Sequence, residues 1–135
     1  MPFTGNFTCN SFKSGLIDGD FDFDTDTFKI ALYTNSASLN AETAVYTTAG
    51  EVVGSGYTAG GNTLTVSKGI TGSTAFITFA DTSWSAAITA RGALIYKDGG
   101  ATVCVLDFGS DKTSTTTFSV DFPAASSTDA LIRLS

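Results

Sequence analysis

The residues of this chain whose type and spacing could do chemistry are carboxylates. They recur at every second position of "DGDFDFDTD", residues 18–26, which holds five aspartates. Grouped aspartates can ligate calcium, and paired carboxylates can act as general acid and base when their pKa values are separated. The stretch therefore raises two chemical hypotheses, a calcium site and a catalytic acid pair, beside a purely structural one.

An EF-hand calcium loop does not fit this run. A loop beginning at Asp18 needs glycine at its sixth position and glutamate at its twelfth, where the sequence has Phe23 and Lys29. A loop beginning two residues later fails at the same two positions. An irregular calcium site built from two or three of the aspartates of Asp18–Asp26 stays open as an alternative.

We favour the structural interpretation of the acidic run. Successive side chains of an extended segment point to opposite faces, so Phe21 and Phe23 can pack inward while the acids face water. Acid–base catalysis needs burial or a partner to separate the two pKa values, and an exposed acidic segment offers neither. The run is then a polar segment that precedes a strand. In that strand Phe28, Ile30 and Leu32 stand at every second position, which predicts one buried face.

Other catalytic arrangements lack their residues. The chain has no histidine, which excludes Ser–His–Asp and Cys–His catalysis and every histidine metal site. The glycines of "GSGYTAGG", residues 54–61, miss the dinucleotide-binding spacing, and Asn62–Val66 reads as a strand where that motif needs a helix. We therefore predict a protein that is not an enzyme, with no catalytic residues, no metal and no cofactor.

Charge and composition restrict the classes of partner that this chain could bind. The chain has 135 residues, the length of one domain, and a net charge of −6 with its lysines and arginines scattered. Such a surface attracts neither nucleic acid nor an anionic membrane, and the sequence shows no signal peptide and no transmembrane run. Cys104 lies in an apolar run, which favours a buried free thiol over a disulfide with Cys9.

The periodicity predicts an all-β fold preceded by one helix. Phe12 and Leu16 lie one turn apart, which predicts a short helix over residues 8–18 that ends at Gly19. Residues 19–135 then read as one antiparallel β-sandwich or barrel of about eight short strands. Asp98-Gly99-Gly100 is a strong hairpin signal between two of these strands, and Trp84 is predicted in the core.

Three residues are candidates for contacts with another subunit. Phe3 and Phe7 lie in a predicted N-terminal arm, residues 1–7, and either meet a neighbouring subunit or fold back onto their own sandwich. Arg91 interrupts the apolar stretch "SAAITARGALIY". It either pairs with a carboxylate such as Asp81 or Asp107 and holds strands in register, or anchors a neighbouring subunit.

Several blocks of the chain resemble a family of small virion structural proteins of tailed bacteriophages. The most specific are "DTFKIALYT", "GYTAGG" and "TARGALIY", and the similarity runs from Cys9 to Leu134. The resemblance implies a non-enzymatic component of the virion, made in the cytoplasm of the host bacterium. Proteins of this size are similar in kind to capsid decoration (cement) proteins, which implies a homotrimer whose partner is the major capsid protein or another virion protein.

Two alternatives to a decoration protein stay open. The first is a tail, neck or fibre-base protein, which the same resemblance would also cover. The second is a glycan-binding module exposed on the particle, for which aromatic side chains would supply a sugar platform, with Asp81 close to Trp84 in the sequence. The aromatic candidates are Tyr33, Tyr46, Tyr57 and Trp84.

Overall fold

Ten β-strands and one α-helix are formed by residues 6–134, the part of the chain that the computed structural model describes. The elements, in chain order, are β1 (Phe7–Thr8), α1 (Asn10–Asp18), β2 (Phe28–Tyr33), β3 (Asn62–Leu64), β4 (Val66–Thr71), β5 (Thr74–Phe79), β6 (Thr82–Trp84), β7 (Thr89–Lys97), β8 (Thr102–Thr113), β9 (Phe118–Val120) and β10 (Ile132–Leu134).

The strands form three antiparallel sheets. A five-stranded sheet has the order β1-β8-β7-β2-β3, a three-stranded sheet the order β10-β5-β4, and β6 pairs with β9. The prediction of an all-β antiparallel domain with one N-terminal helix is confirmed, and within residues 6–134 the sheets form a sandwich without closing into a barrel. The ten strands of residues 6–134 exceed the predicted number of about eight.

The helix is shorter than predicted at its start. It begins at Asn10 because the two residues of β1 are extended and pair with β8, Thr8 opposite Cys104. Its end at Gly19 is confirmed: the glycine has φ 80° and its N–H donates to the carbonyl of Gly15, the left-handed cap that glycine adopts without steric cost. No helix among the described residues is long and apolar enough to span a membrane.

The acidic run packs as the structural interpretation predicts. The rings of Phe21 and Phe23 are half-buried, and their centroids lie 5.1 Å from Phe12 and 4.5 Å from Phe28, respectively. Four of the five aspartates are exposed. The carboxylate of Asp22 accepts the backbone N–H of Asp24, which lowers the pKa of Asp22. These carboxylates therefore shape a turn in front of β2.

Strand β2 is buried on both faces, whereas the alternation of its apolar residues predicted burial on one face only. Phe28, Ile30 and Leu32 belong to the main core, and Ala31 and Tyr33 belong to a second core on the opposite face. The second core is closed by side chains from residues 34–61, a long irregular segment. Fixing that segment against the sheet is thus a separate requirement of the fold.

The hairpin between β7 and β8 forms where the sequence predicts it. Gly99 has φ 76°, and Lys97 N–H donates to Ala101 O at 2.9 Å. The register of β7 with β8 shifts between Ile95 and Tyr96, so no residue of β7 lies directly opposite Val103. As a result, Val103 and Cys104, although consecutive, both pack in the main core. Cys104 is a buried free thiol, as predicted.

Candidate functional site

The predicted contact residues at the N-terminus have different outcomes. Phe3 lies outside the described residues. Phe7 lies in β1 opposite Val105, and its half-buried ring packs against the second core. The sheet therefore begins inside the predicted arm of residues 1–7, and Phe7 contacts its own sandwich. A further contact with another subunit stays a prediction.

Arg91 pairs with one of the two carboxylates proposed from the sequence. Its Nε lies 3.0 Å from Asp107 Oδ1 and its Nη2 lies 3.5 Å from Asp107 Oδ2, with both side chains about nine-tenths buried. Asp81 instead accepts the backbone N–H of Phe122 at 2.7 Å. The interpretation that Arg91 ties two strands together is confirmed, because Arg91 is on β7 and Asp107 on β8. Its role as an anchor for a neighbour stays a prediction.

The Arg91–Asp107 pair predicts a pH dependence of stability. The N–H of Gly109, and after it Arg91, hold the pKa of Asp107 below its usual value. A lowered folded-state pKa contributes stability above the unfolded-state value of about 3.9, and this is lost as the pH falls through the folded-state pKa. We expect Asp107→Asn to lower the free energy of unfolding by about 1 kcal/mol at pH 7.

Urea unfolding between pH 7 and pH 2 checks this, with the exposed Asp111→Asn as the matched control. The difference between Asp107→Asn and the unaltered protein should shrink once the pH falls below about 3.9. A difference that is constant over the whole pH range would show that the charge of Asp107 does not stabilise the fold.

The aromatic set proposed for glycan binding is mostly buried. Tyr33, Tyr57 and Trp84 are 0%, 8% and 4% exposed, and Trp84 lies in the main core as predicted. These three rings present no surface to a ligand. Tyr46 is half-buried and is the member of the set with an accessible ring.

A buried carboxylate joins the tyrosines in an arrangement that the sequence analysis missed. Glu51 is 6% exposed, and its carboxylate accepts three hydrogen bonds: from Tyr46 Oη at 2.5 Å, from Tyr57 Oη at 2.6 Å and from Gly60 N–H at 2.8 Å. The Tyr57 hydroxyl also accepts the N–H of Leu32 in β2 at 2.9 Å. Through Tyr57, the carboxylate thus connects the irregular segment 34–61 to strand β2.

The other two tyrosines extend this cluster. Tyr33 Oη donates to Thr47 O and Tyr96 Oη donates to Gly60 O, each at 2.6 Å. Burial, and after it the charge of Glu51, raises the pKa of Tyr96 to about 12. The same two causes raise the pKa of Tyr33 still further. These hydroxyls therefore remain protonated donors at neutral pH, and the Glu51 cluster acts as a clamp on residues 34–61.

Apolar side chains continue beyond the core on one face of the three-stranded sheet. Directly opposed residues of antiparallel strands share a face, and Ala75 of β5 is opposed by Ile70 of β4 and by Leu134 of β10. The same face carries Ile77 and Phe79, which pack in the main core. We call Ile70, Ala75 and Leu134 the apolar row.

The apolar row is accessible to a partner. Ile70 is 71% exposed and Leu134 is 50% exposed. A signal for this row is present in the sequence, since "ALIRL" and "SKGIT" place apolar residues in the two edge strands. Locating them on a single face required the register of both strand pairs.

Comparison with known proteins returned no matching family model, no matching curated protein and no matching solved structure. Within residues 6–134 no group of three or more histidine, cysteine or acidic side chains is placed to hold a metal ion.

Proposed function

We propose that this protein is a structural component of a tailed-bacteriophage virion, and specifically a capsid decoration protein that bridges coat subunits. Two observations support the proposal. The first is that the blocks around "DTFKIALYT", "GYTAGG" and "TARGALIY" resemble virion structural proteins. The second is the apolar row, which continues the core-facing side of the three-stranded sheet into solvent. The apolar row is the observation that carries the contact role, because exposed apolar surface of this kind is typical of protein interfaces.

The proposed role follows from simple association physics. A protein that binds only the assembled coat shifts the equilibrium away from disassembly by mass action. Many copies on one particle gain avidity even when each contact is weak. A homotrimer would use one face of each copy against a different face of the next, so contacts to neighbours and to the coat can lie on separate surfaces.

Cryo-electron microscopy of the intact virion tests the location. The proposal expects density for this domain on the outside of the head, at the symmetry of the coat lattice and in contact with the major capsid protein. Density confined to the tail, the neck or the fibre base would reject the decoration role and support the alternative within the same virion class.

The apolar row predicts a selective effect on assembly. We expect Ile70→Ser to leave the fold intact, since the side chain is 71% exposed, and to reduce incorporation into particles about tenfold, the equivalent of about 1.4 kcal/mol. Val53→Ser is the matched control, because Val53 is 94% exposed on the irregular segment and lies outside the row. Quantitative immunoblots of purified virions measure both. Equal incorporation of the two variants would show that the row makes no contact on the particle.

A further inference from the structure

An open pocket of about 480 Å³ lies beside the Glu51 cluster. The residues that matter for its chemistry are Lys29, Tyr46, Tyr96 and Asp98, together with the glycine backbone at positions 60, 99 and 100. We call it the tyrosine pocket. Its volume lies in the range of small-molecule sites, which combine an apolar or aromatic wall with a few placed polar groups.

The aromatic wall of the tyrosine pocket is fixed in place. The rings of Tyr46 and Tyr96 stack with centroids 4.8 Å apart and an interplanar angle of 21°. Each ring is also held at its far end, Tyr46 by Glu51 and Tyr96 by the carbonyl of Gly60. Tyr96 is 3% exposed, whereas Tyr46 keeps part of its ring accessible. A ligand therefore meets a rigid aromatic surface, with little ordering cost on binding.

Two polar groups that have no partner among the described residues complete the pocket. Within residues 6–134 the ammonium of Lys29 makes no hydrogen bond or ion pair, and the carboxylate of Asp98 makes none either. Lys29 Nζ lies 3.7 Å from the point that a Cβ at Gly60 would occupy, beside the aromatic wall. The pocket thus offers a strong donor and a strong acceptor that do not neutralise each other.

We propose that the tyrosine pocket binds a neutral hexose unit of a glycan. The C–H face of a pyranose can pack on the accessible ring of Tyr46, while its hydroxyls donate to Asp98 and accept from Lys29. A simple anion would be repelled by Asp98 and a simple cation by Lys29. A polyol uses both groups, because each hydroxyl is donor and acceptor at once.

This site is independent of the proposed decoration role and goes beyond it. It also differs from the sugar platform considered from the sequence, since Trp84 and Asp81 take no part and Tyr96 was not among those candidates. Gly99 is exposed and has φ 76°, and the absence of a side chain there leaves its backbone accessible to a ligand.

Nuclear magnetic resonance titration of the ¹⁵N-labelled 135-residue chain tests the proposal. The probes are the methyl α-pyranosides of glucose, galactose and mannose, each run separately, with sodium glucuronate as the charged comparison. The proposal expects at least one neutral glycoside to give saturable shifts of the amides of Gly60, Gly99 and Gly100. No saturable shift with any neutral glycoside, or shifts centred elsewhere, would overturn it.

Substitutions at the polar groups sharpen the test. Asp98→Asn keeps the hairpin, because Asn-Gly suits the same turn, and it should weaken glycoside binding at least tenfold; Lys29→Met should do the same. Asp121→Asn, an exposed aspartate in a different part of the fold, should bind like the unaltered protein. Undiminished binding by both pocket variants would overturn the proposal, as would a site that binds glucuronate but no neutral glycoside.

Discussion

Glu51→Ala should lower the free energy of unfolding by about 3 kcal/mol, although Glu51 has the sequence character of a surface residue. The substitution removes the acceptor of Tyr46, Tyr57 and the Gly60 N–H in a site that is 6% exposed. Buried donors without acceptors each cost about 1–3 kcal/mol, and part of this is recovered when water enters the space left by the side chain. Urea denaturation followed by circular dichroism measures the change.

Glu42→Ala is the matched control for Glu51→Ala. Glu42 lies on the same irregular segment but is exposed, and its described hydrogen bond is made by its backbone N–H. We expect it to change stability by less than about 0.5 kcal/mol. If the two alanine variants unfold at the same urea concentration, the Glu51 cluster is not the clamp on residues 34–61 described above.

Gly61→Ala should be at least as damaging, with a loss of about 4 kcal/mol or failure to fold. Gly61 has φ 78°, and a Cβ at this position would lie 1.7 Å from Ile30 O and 2.8 Å from Ala31 Cα. Both contacts are with the backbone of β2, which pairs on its two sides with β3 and β7 and cannot yield locally. The chain enters β3 at this point, so relief of the clash would break that pairing.

Gly72→Ala is the control that separates the cost of the steric clash from the cost of the left-handed backbone conformation. Gly72 also has a positive φ, 60°, but a Cβ there would meet no atom within 4 Å. This variant should lose about 1 kcal/mol, the cost of placing alanine in the left-handed region. The difference between the two glycine variants in the same denaturation experiment measures the close approach to β2, and equal losses would show that this approach does not constrain the fold.

Local signals explain which parts of the fold the sequence predicts. The end of α1 at Gly19, the hairpin at Asp98-Gly99 and the inward rings of Phe21 and Phe23 each depend on neighbours in the chain, and each is confirmed. The ion-pair partner of Arg91 could not be predicted from neighbours in the chain alone. The sequence left Asp81 and Asp107 as equal partners, because the choice depends on the register of β7 with β8, which shifts beside Arg91.

The candidate sites were harder to predict for a related reason. The strand "FKIALY" is nearly all apolar, a pattern typical of a strand buried on both faces, and in hindsight Ala31 and Tyr33 carried that signal. The Glu51 cluster carries no such signal, since its hydrogen bonds join an irregular segment, which has no periodicity, to strands that are distant in the chain. Tyr46, Tyr57 and Tyr96 are separated by up to 50 positions in the numbering and meet only once residues 34–61 have folded over the sheet.

Strand β4 has one more consequence, which concerns the association of this protein with other copies of itself. An unpaired strand at the margin of a sheet can recruit another strand and start a fibril. Lys68, midway along β4, is exposed on the same face as Ile77, and its ammonium lies 2.9 Å from Asp24 Oδ1. A lysine on an edge strand discourages the pairing of a further strand, while the side chain of Ile70 two residues later stays exposed. We therefore expect β4 to resist pairing with a further strand, so that contacts with other molecules are made by side chains on the faces of the molecule rather than by the β4 backbone.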